Sequence, residues 1–368
     1  MQITHTEIYP FSIPMVPFAI ATGTMDYAQN VLIKIFTDEG LVGIGECSAF
    51  PMIVGETQGT CLAVAKDFAL IVKGKDPIAI EARLAELDRY IAGNTTIKSA
   101  FDMAFYDIAA QAAGLPLYKY LGGAIKEIAT DITVGINSAD GMAGQALTFK
   151  ENKAKTLKVK VGKDAVTDIV RIQKIREAVG PDLRIRLDAN QGWDLKGAIK
   201  ALSGMEALGL DIEFCEQPMR SYDDPLIGKL KDVTSIPIMA DESCYHPRDV
   251  LHCKKAGFDY INIKLAKSAG IFNALKIERA AAELSIPCMM GGMLESRVAL
   301  TAMTHLVMAA DNIRFFDMDT CLLGHTEDPV DKGVEIKEYR LSLPIPDRPG
   351  IGVEVKPDFL KNCPKWSV

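Results

Sequence analysis

The chain has 368 residues, 48% of them hydrophobic, with 41 basic against 48 acidic side chains and a formal net charge of −7. Such a length buries a large core and leaves room for a second, smaller unit, while the mildly acidic balance excludes the basic footprint of a nucleic-acid binder or a protein of anionic membrane surfaces. No apolar run reaches the ~20 residues of a spanning helix. Met1-Gln2-Ile3-Thr4-His5 lacks the basic start and apolar stretch of a signal peptide, so a cytoplasmic protein without membrane attachment is expected.

The first third reads as α+β. Two β-branched runs, Val31–Thr37 and Leu41–Cys47, flank Asp38-Glu39-Gly40 and predict a hairpin. Helical spacing follows over Thr57–Val72, Ile78–Ile91 and Ile97–Ala113, the last closed by Gly114 and Pro116. Gly43-Ile44-Gly45 lacks the third glycine and the helix start of a dinucleotide fingerprint.

From about Asp131 short β-rich runs alternate with helical stretches every ~25–30 residues, the pattern of repeated βα units. The runs are DITVGI, LKVKV, RIRLDA, IEFCEQ, IPIMAD, YINIKL, PCMMGG and RFFDMD. Parallel strands in that number fit a closed (β/α) barrel better than a doubly wound sheet, the alternative that periodicity alone leaves open. The expected architecture is α/β, a modified TIM barrel over residues 126–329 with an α+β capping domain over 1–125. The proline-containing segment from about 330 to 368 would pack back on the cap.

Eight cysteines (Cys47, Cys61, Cys215, Cys244, Cys253, Cys288, Cys321, Cys363) form no close pairs of the zinc or redox kind and read as reduced core residues. With no His-Glu-x-x-His and no Gly-x-Ser-x-Gly, zincin and serine-hydrolase chemistry lose their supports. Barrel active sites lie at the carboxyl ends of the strands. There the third, fourth and fifth runs carry Asp188, Glu216 and Asp241. Three converging carboxylates repel one another unless a hard cation neutralises them, which points to one Mg²⁺. Asn190 and Glu242 are their natural supports.

Lys158 and Lys160 share one face of the second run, and Lys264 ends the sixth, diametrically opposite in a ring of eight. One amine on each face of a planar intermediate is what a racemase or epimerase needs, with Lys158 and the cation tuning Lys160. Asp317 and Asp319 end the eighth run, apart from the metal trio, and suit a positive group such as a substrate ammonium.

Over essentially its full length the chain resembles the muconate-lactonizing subgroup of the enolase superfamily. LKVKVG matches the Lys-x-Lys motif, Asp188, Glu216 and Asp241 the metal ligands, and Lys264 the second base. That superfamily pairs a Lys or His base with Mg²⁺. Within it, Asp317-x-Asp319 resembles the dipeptide epimerases, in which this motif binds the free α-ammonium while the lysines invert the C-terminal residue's α-carbon. The resemblance implies substrate contacts from Met293, Glu295 and Ser296, specificity loops near Pro14–Tyr27 and Ala49–Gln58, and homo-oligomers. Alanyl-glutamate epimerases of the family carry an arginine where Gly23 stands. Together with Phe18, Ile20, Met25, Phe50, Met52 and Ile53, that implies a dipeptide with a small or hydrophobic C-terminal side chain. An o-succinylbenzoate synthase or muconate-type cycloisomerase shares the lysines and metal but has no use for an ammonium site. A Schiff-base aldolase and a catalytically silent relative are the remaining alternatives.

Overall fold

The computed structural model describes residues 1–368. Its amino-terminal sheet is built on β1 (Ile3–Ile20), β2 (Gly23–Thr37) and β3 (Val42–Ala49), all antiparallel. The expected hairpin forms at Asp38–Gly40, with Gly40 at φ 81°. The segment read as a loop, Pro14–Tyr27, is instead the tip of a long hairpin in which only Ala21 and Thr22 turn.

Helices α1 (Gln58–Val72), α2 (Ile80–Tyr90) and α3 (Thr95–Ala112) complete the cap. Gly43 and Gly45 explain why the α3 axis can lie so close to β3. A Cβ at Gly45 would stand 1.9 Å from the Ala100 carbonyl oxygen, and one at Gly43 2.2 Å from that of Ala104. These glycines serve helix packing, not phosphate binding.

The second unit is an eight-stranded parallel sheet in sequential order: β4 (Ile132–Val134), β5 (Thr156–Lys160), β6 (Arg184–Asp188), β7 (Ile212–Glu216), β8 (Ile238–Ala240), β9 (Tyr260–Ile263), β10 (Cys288–Gly291) and β11 (Ile313–Asp317). The Asp131 amide donates to the Phe316 carbonyl at 3.1 Å and draws the last strand against the first. Outside run α4 (Ala139–Glu151), α5 (Ala165–Val179), α6 (Leu195–Ala207), α7 (Ile227–Lys231), α8 (Asp249–Ala256), α9 (Ile271–Glu283) and α10 (Arg297–Ala309). After β11 come a 3₁₀ turn (Thr320–Leu322), short strands at Val330–Lys332, Glu335–Lys337, Arg340–Ser342 and Glu354–Val355, and a helical turn at Pro357–Lys361; the chain ends at the cap, where β12 (Trp366–Ser367, numbered without these short strands) pairs with β1 at Glu7 and Ile8. No helix is long and apolar enough to cross a membrane. All eight cysteines are free thiols, Cys321 and Cys363 half-buried and the other six buried.

The barrel floor is apolar: Phe214, Met239 and Met289 pack with Tyr260 and Phe315. Above them the Arg186 guanidinium lies 5.2 Å from the Phe214 ring centre and 5.3 Å from that of Phe315. Its charge is met by Asp131 at 2.8 Å and Glu213 at 2.6 Å.

Cap and barrel are joined by buried carboxylates placed on helix N-termini, where unpaired amides and the helix dipole favour negative charge. Asp102 of α3 accepts the Ile271 and Phe272 amides at the start of α9. Glu46 of β3 accepts the Ser296 amide and hydroxyl at 2.9 and 2.8 Å and the Ala299 amide at 3.0 Å, at the start of α10. Asn30 adds an amide hydrogen bond to Glu46 at 2.8 Å and another to the Leu294 carbonyl at 3.1 Å. Glu46→Ala strands these buried donors and is expected to lower the unfolding free energy by about 2–3 kcal/mol in urea titration, with Glu46→Gln losing less.

Candidate active site

The strand ends bring the acids and lysines of the sequence reading into one place. Lys160, Asp188 and Glu216 are the last residues of β5, β6 and β7; Asp241 and Lys264 directly follow β8 and β9. Lys158, Lys160, Lys264, Asn190, Asp317 and Asp319 all line a single chamber. Its roof comes from the cap, through Phe18 and Ile20 of the β1 tip and Phe50 and Ile53 beyond β3.

Lys158 is the hub. It is 1% exposed, and its Nζ lies 3.0 Å from Asp188, 2.8 Å from Glu216 and 2.6 Å from Asp317. Burial alone would discharge it, but Asp188, Asp317 and Glu216 hold its pKa well above the ordinary lysine value. Among these three carboxylates its charged form is the favoured one. The same contact corrects the expected separation of Asp317 from the metal trio, since one ammonium touches Asp317, Asp188 and Glu216 together. The reason is barrel closure, which returns the eighth strand to the first, beside the second.

Lys160 meets Asp188 at 2.6 Å and Lys264 meets Asp241 at 2.8 Å. Against the cost of burial, Lys158, Lys160 and Lys264 push Asp188 down, and Lys264 and Lys267 do the same for Asp241. Glu216 moves the other way, up to about 7, through burial and the neighbouring Asp188. The Asn190 amide donates to Asp188 at 2.9 Å and the Asn262 side chain to Glu216 at 2.7 Å. Gln217, at φ 35°, accepts the Asp241 amide at 2.8 Å; Asn190 is also left-handed at φ 42°, so non-glycine backbone strain falls one residue after Glu216 and two after Asp188.

Whether these residues suit a hard cation can be judged from their unpaired atoms. Both Glu242 oxygens and Asn190 Oδ1 are buried without a partner, while Glu216 Oε2 and the two Asp241 oxygens accept no neutral donor and are met only by the ammonium groups of Lys158, Lys264 and Lys267. Burial, with Asp241 and Asp188 close by, pushes Glu242 up to about 8. Buried acceptors in surplus, all oxygen, are the donor set of Mg²⁺ chemistry. Asp188, Glu216 and Asp241 interleave with lysine nitrogens; a tighter carboxylate group, with oxygens within 4.8 Å of one another, is Asp131, Asp317 and Asp319.

Other expected contacts divide. Phe18, Ile53 and Met293 reach the chamber, but Glu295 and Ser296 do not line it. Glu295 takes the Met293 amide at 2.6 Å and shapes its own loop, while the Ser296 hydroxyl is tied to Glu46 as the cap of α10. Gly23 sits outside the lining, and a Cβ there would stand 2.6 Å from the Met52 sulfur. Residues the motifs did not flag include Thr133 in the lining and Lys267, which is buried with its Nζ 2.5 Å from Asp241. Asp131 was passed over because it opens a strand run instead of closing one.

A capped (β/α) barrel with opposed lysines and an acidic, oxygen-rich strand-end cluster defines a class of metal-assisted enzyme working beside a carboxylate. Residues 3–122 match the N-terminal domain of the mandelate racemase / muconate lactonizing enzyme family, and residues 141–359 the enolase C-terminal domain-like model. The chain belongs to that family, within the enolase superfamily. It is 39% identical to the L-Ala-D/L-Glu epimerase of Bacillus subtilis, over 96% of this chain and 97% of that one. Its fold superposes with a TM-score of 0.97 on a dipeptide epimerase from Cytophaga hutchinsonii complexed with Mg and D-Ala-L-Val, at 39% identity and full coverage of both chains. A dipeptide epimerase from Enterococcus faecalis complexed with Mg and L-Leu-L-Tyr superposes at 0.92, with 38% identity over 96% of this chain and 99% of that one.

Saturating Mg²⁺ is expected to raise the thermal midpoint by about 3 °C at a hundredfold excess over its Kd, and a chelator to reverse the shift. Glu216→Gln should abolish the shift, as read by scanning calorimetry.

Proposed function

We propose that this chain is a dipeptide epimerase that inverts the α-carbon of the C-terminal residue of its substrate. The observation that carries the reading is the entry of Lys160 and Lys264, from strands four apart in the ring, into one chamber that also holds Asp317 and Asp319. Asp188, Glu216 and Asp241 would hold the Mg²⁺, with Asn190 and Glu242 supporting them. When bound, the ion offsets the negative charge that gathers on the substrate carboxylate as the α-proton leaves.

Proton transfer belongs to the lysines. Starting with one lysine neutral and the other an ammonium, the neutral Nζ takes the α-hydrogen from its face, and the C–H electron pair moves into the carboxylate. The opposite ammonium returns a proton to the other face, and configuration at carbon is inverted. The two lysines finish with their protonation states exchanged, ready for the reverse direction. Lys158, set among Asp188, Glu216 and Asp317, holds these carboxylates together without joining the proton transfer. Asp317 and Asp319 take the substrate's ammonium, which an N-acylated amino acid or a cycloisomerase substrate would not offer.

The apolar roof of Phe18, Ile20, Phe50 and Ile53, together with Met293, Leu294 and Leu323, supports a small or hydrophobic side chain on the inverted residue. The Met52 thioether lies against Gly23, in the space a longer side chain there would need.

Incubating a mixed L,L-dipeptide library with the protein and Mg²⁺ in D₂O identifies substrates by mass gain, and no gain for any dipeptide would remove the proposal. Lys160→Ala and Lys264→Ala should each lower epimerisation by about 10²–10⁴-fold. Each variant should still exchange the α-hydrogen of one epimer only, a different one for each lysine; unchanged epimerisation in either variant contradicts the two-base scheme.

A further inference from the structure

One fully buried carboxylate outside the chamber has no part in the chemistry described so far. Asp168 lies on the first turn of α5. Its Oδ2 accepts both the Gly162 amide at 2.9 Å and the Trp193 indole N–H at 3.1 Å, while Oδ1 accepts the Arg171 guanidinium at 2.8 Å. Arg171 in turn donates to the Asn137 carbonyl at 3.0 Å. A single side chain thereby gathers the chain beyond three neighbouring strands: Asn137 after β4, Gly162 after β5 and Trp193 after β6. The middle one follows Lys160 by two residues. Gly162 is left-handed at φ 106°, a Cβ there would fall 2.3 Å from the Ala189 carbonyl oxygen, and a Cβ on Gly192 would fall 2.1 Å from the Gly162 carbonyl oxygen. Backbone stacked this closely leaves the chain one path out of β5, and the Gly162 amide, which Asp168 alone accepts, is what ties it down. Lys264 is held by another device. Its carbonyl takes the Lys267 and Ser268 amides, each at 3.0 Å, and the Ser268 hydroxyl at 3.1 Å, a turn local to its own strand end across the ring.

We propose that Asp168 is a positioning residue for Lys160 and not for Lys264, acting through the Gly162 amide, so that each of the two bases has its own backbone clamp. The inference rests on the two-lysine reading given above and adds to it a residue outside the chamber. Lys160 is the last residue of β5, so its main chain is paired on one side and handed to a loop on the other. A displacement of about 1 Å at a reacting group costs on the order of 10²-fold in rate. Removing the acceptor of a buried amide and a buried indole sends the loop behind Lys160 in search of new partners, and Lys160 moves with it.

The test uses full-length protein with Mg²⁺ in D₂O and follows α-hydrogen exchange at early times, with each epimer of an accepted dipeptide taken separately. Inversion rates cannot make the distinction, because the fixed equilibrium between the epimers obliges both directions to slow together. Lys160→Ala identifies the epimer whose α-hydrogen faces Lys160, as the one it no longer exchanges. Asp168→Ala is expected to slow exchange of that same epimer by about tenfold to a hundredfold, chiefly through kcat, and to leave the other within about twofold. Asp168→Asn keeps an oxygen that can accept both Gly162 and Trp193, and should bring exchange back to within about threefold of the unmodified enzyme. An equal fall for both epimers would mean that Asp168 only supports the fold, and a shifted Mg²⁺ half-saturation would mean that it serves Asp188 through the Ala189–Trp193 segment; either overturns the proposal. Amide hydrogen exchange of the unmodified enzyme covers an Asp168→Ala chain that does not fold. The Gly162 amide should be as protected as the amides of β5, and exchange at the rate of an open loop contradicts the clamp. If Lys160→Ala keeps or loses the exchange of both epimers alike, the two-base scheme on which the clamp rests is overturned instead.

Discussion

Charge held in a dry barrel is the constraint on which the rest of this molecule depends. A carboxylate or ammonium moved from water into such an interior loses several kcal/mol of solvation, recovered only where opposite charges meet at close range. Lys158 meets that condition three times over, touching the ends of the third, fourth and eighth strands at 2.6–3.0 Å. Arg186 does the same one layer deeper, with aromatic rings beneath it and Asp131 at its edge. Pinned by these two cations, the acids cannot spread apart, and the positions of Lys160 and Lys264 follow from the acids they pair with. The acceptors left over there, both Glu242 oxygens and Asn190 Oδ1, are what a divalent ion can satisfy.

The cap is fixed by the same electrostatic logic at a larger scale. Asp102 of α3 caps α9, which follows the strand leading to Lys264, and Glu46 of β3 caps α10, which follows the loop bearing Met293. Roof and floor of the chamber are thus referenced to one another through helix N-termini instead of through the substrate-facing side chains. Those side chains are left free to vary with the substrate, because none of them carries the join.

Much of this was legible because a polar residue closing an apolar strand run is conspicuous. Asp188, Glu216, Asp241, Lys160, Lys264 and Asp317 all announce themselves in that way. The long first hairpin was not legible, since Pro10, Pro14 and Pro17 break the strand pattern of Ile3–Ile20. A strand tolerates proline where no ladder bond needs its amide, and β12 covers β1 only at Glu7 and Ile8, with a further isolated bridge from Met15 to His325. Glu46 looks like one more solvent-facing residue between Gly45 and Cys47, and only the docking of α10 reveals it as an interdomain cap. Lys267 follows its strand by a turn and so escapes inspection of strand ends, while the separation inferred for Asp317 failed because a linear list of strands hides the closure of the ring.

The pairing of β1 with β12 carries a consequence for how the protein is made. Residues 7 and 8 complete their sheet only with residues 366 and 367, so nearly the whole polypeptide must leave the ribosome before the cap has its last strand. Contacts so distant in sequence pay their loop entropy late and form slowly. The barrel's sequential βα units can assemble during translation, whereas the outer edge of the cap sheet is closed only when residues 366 and 367 arrive.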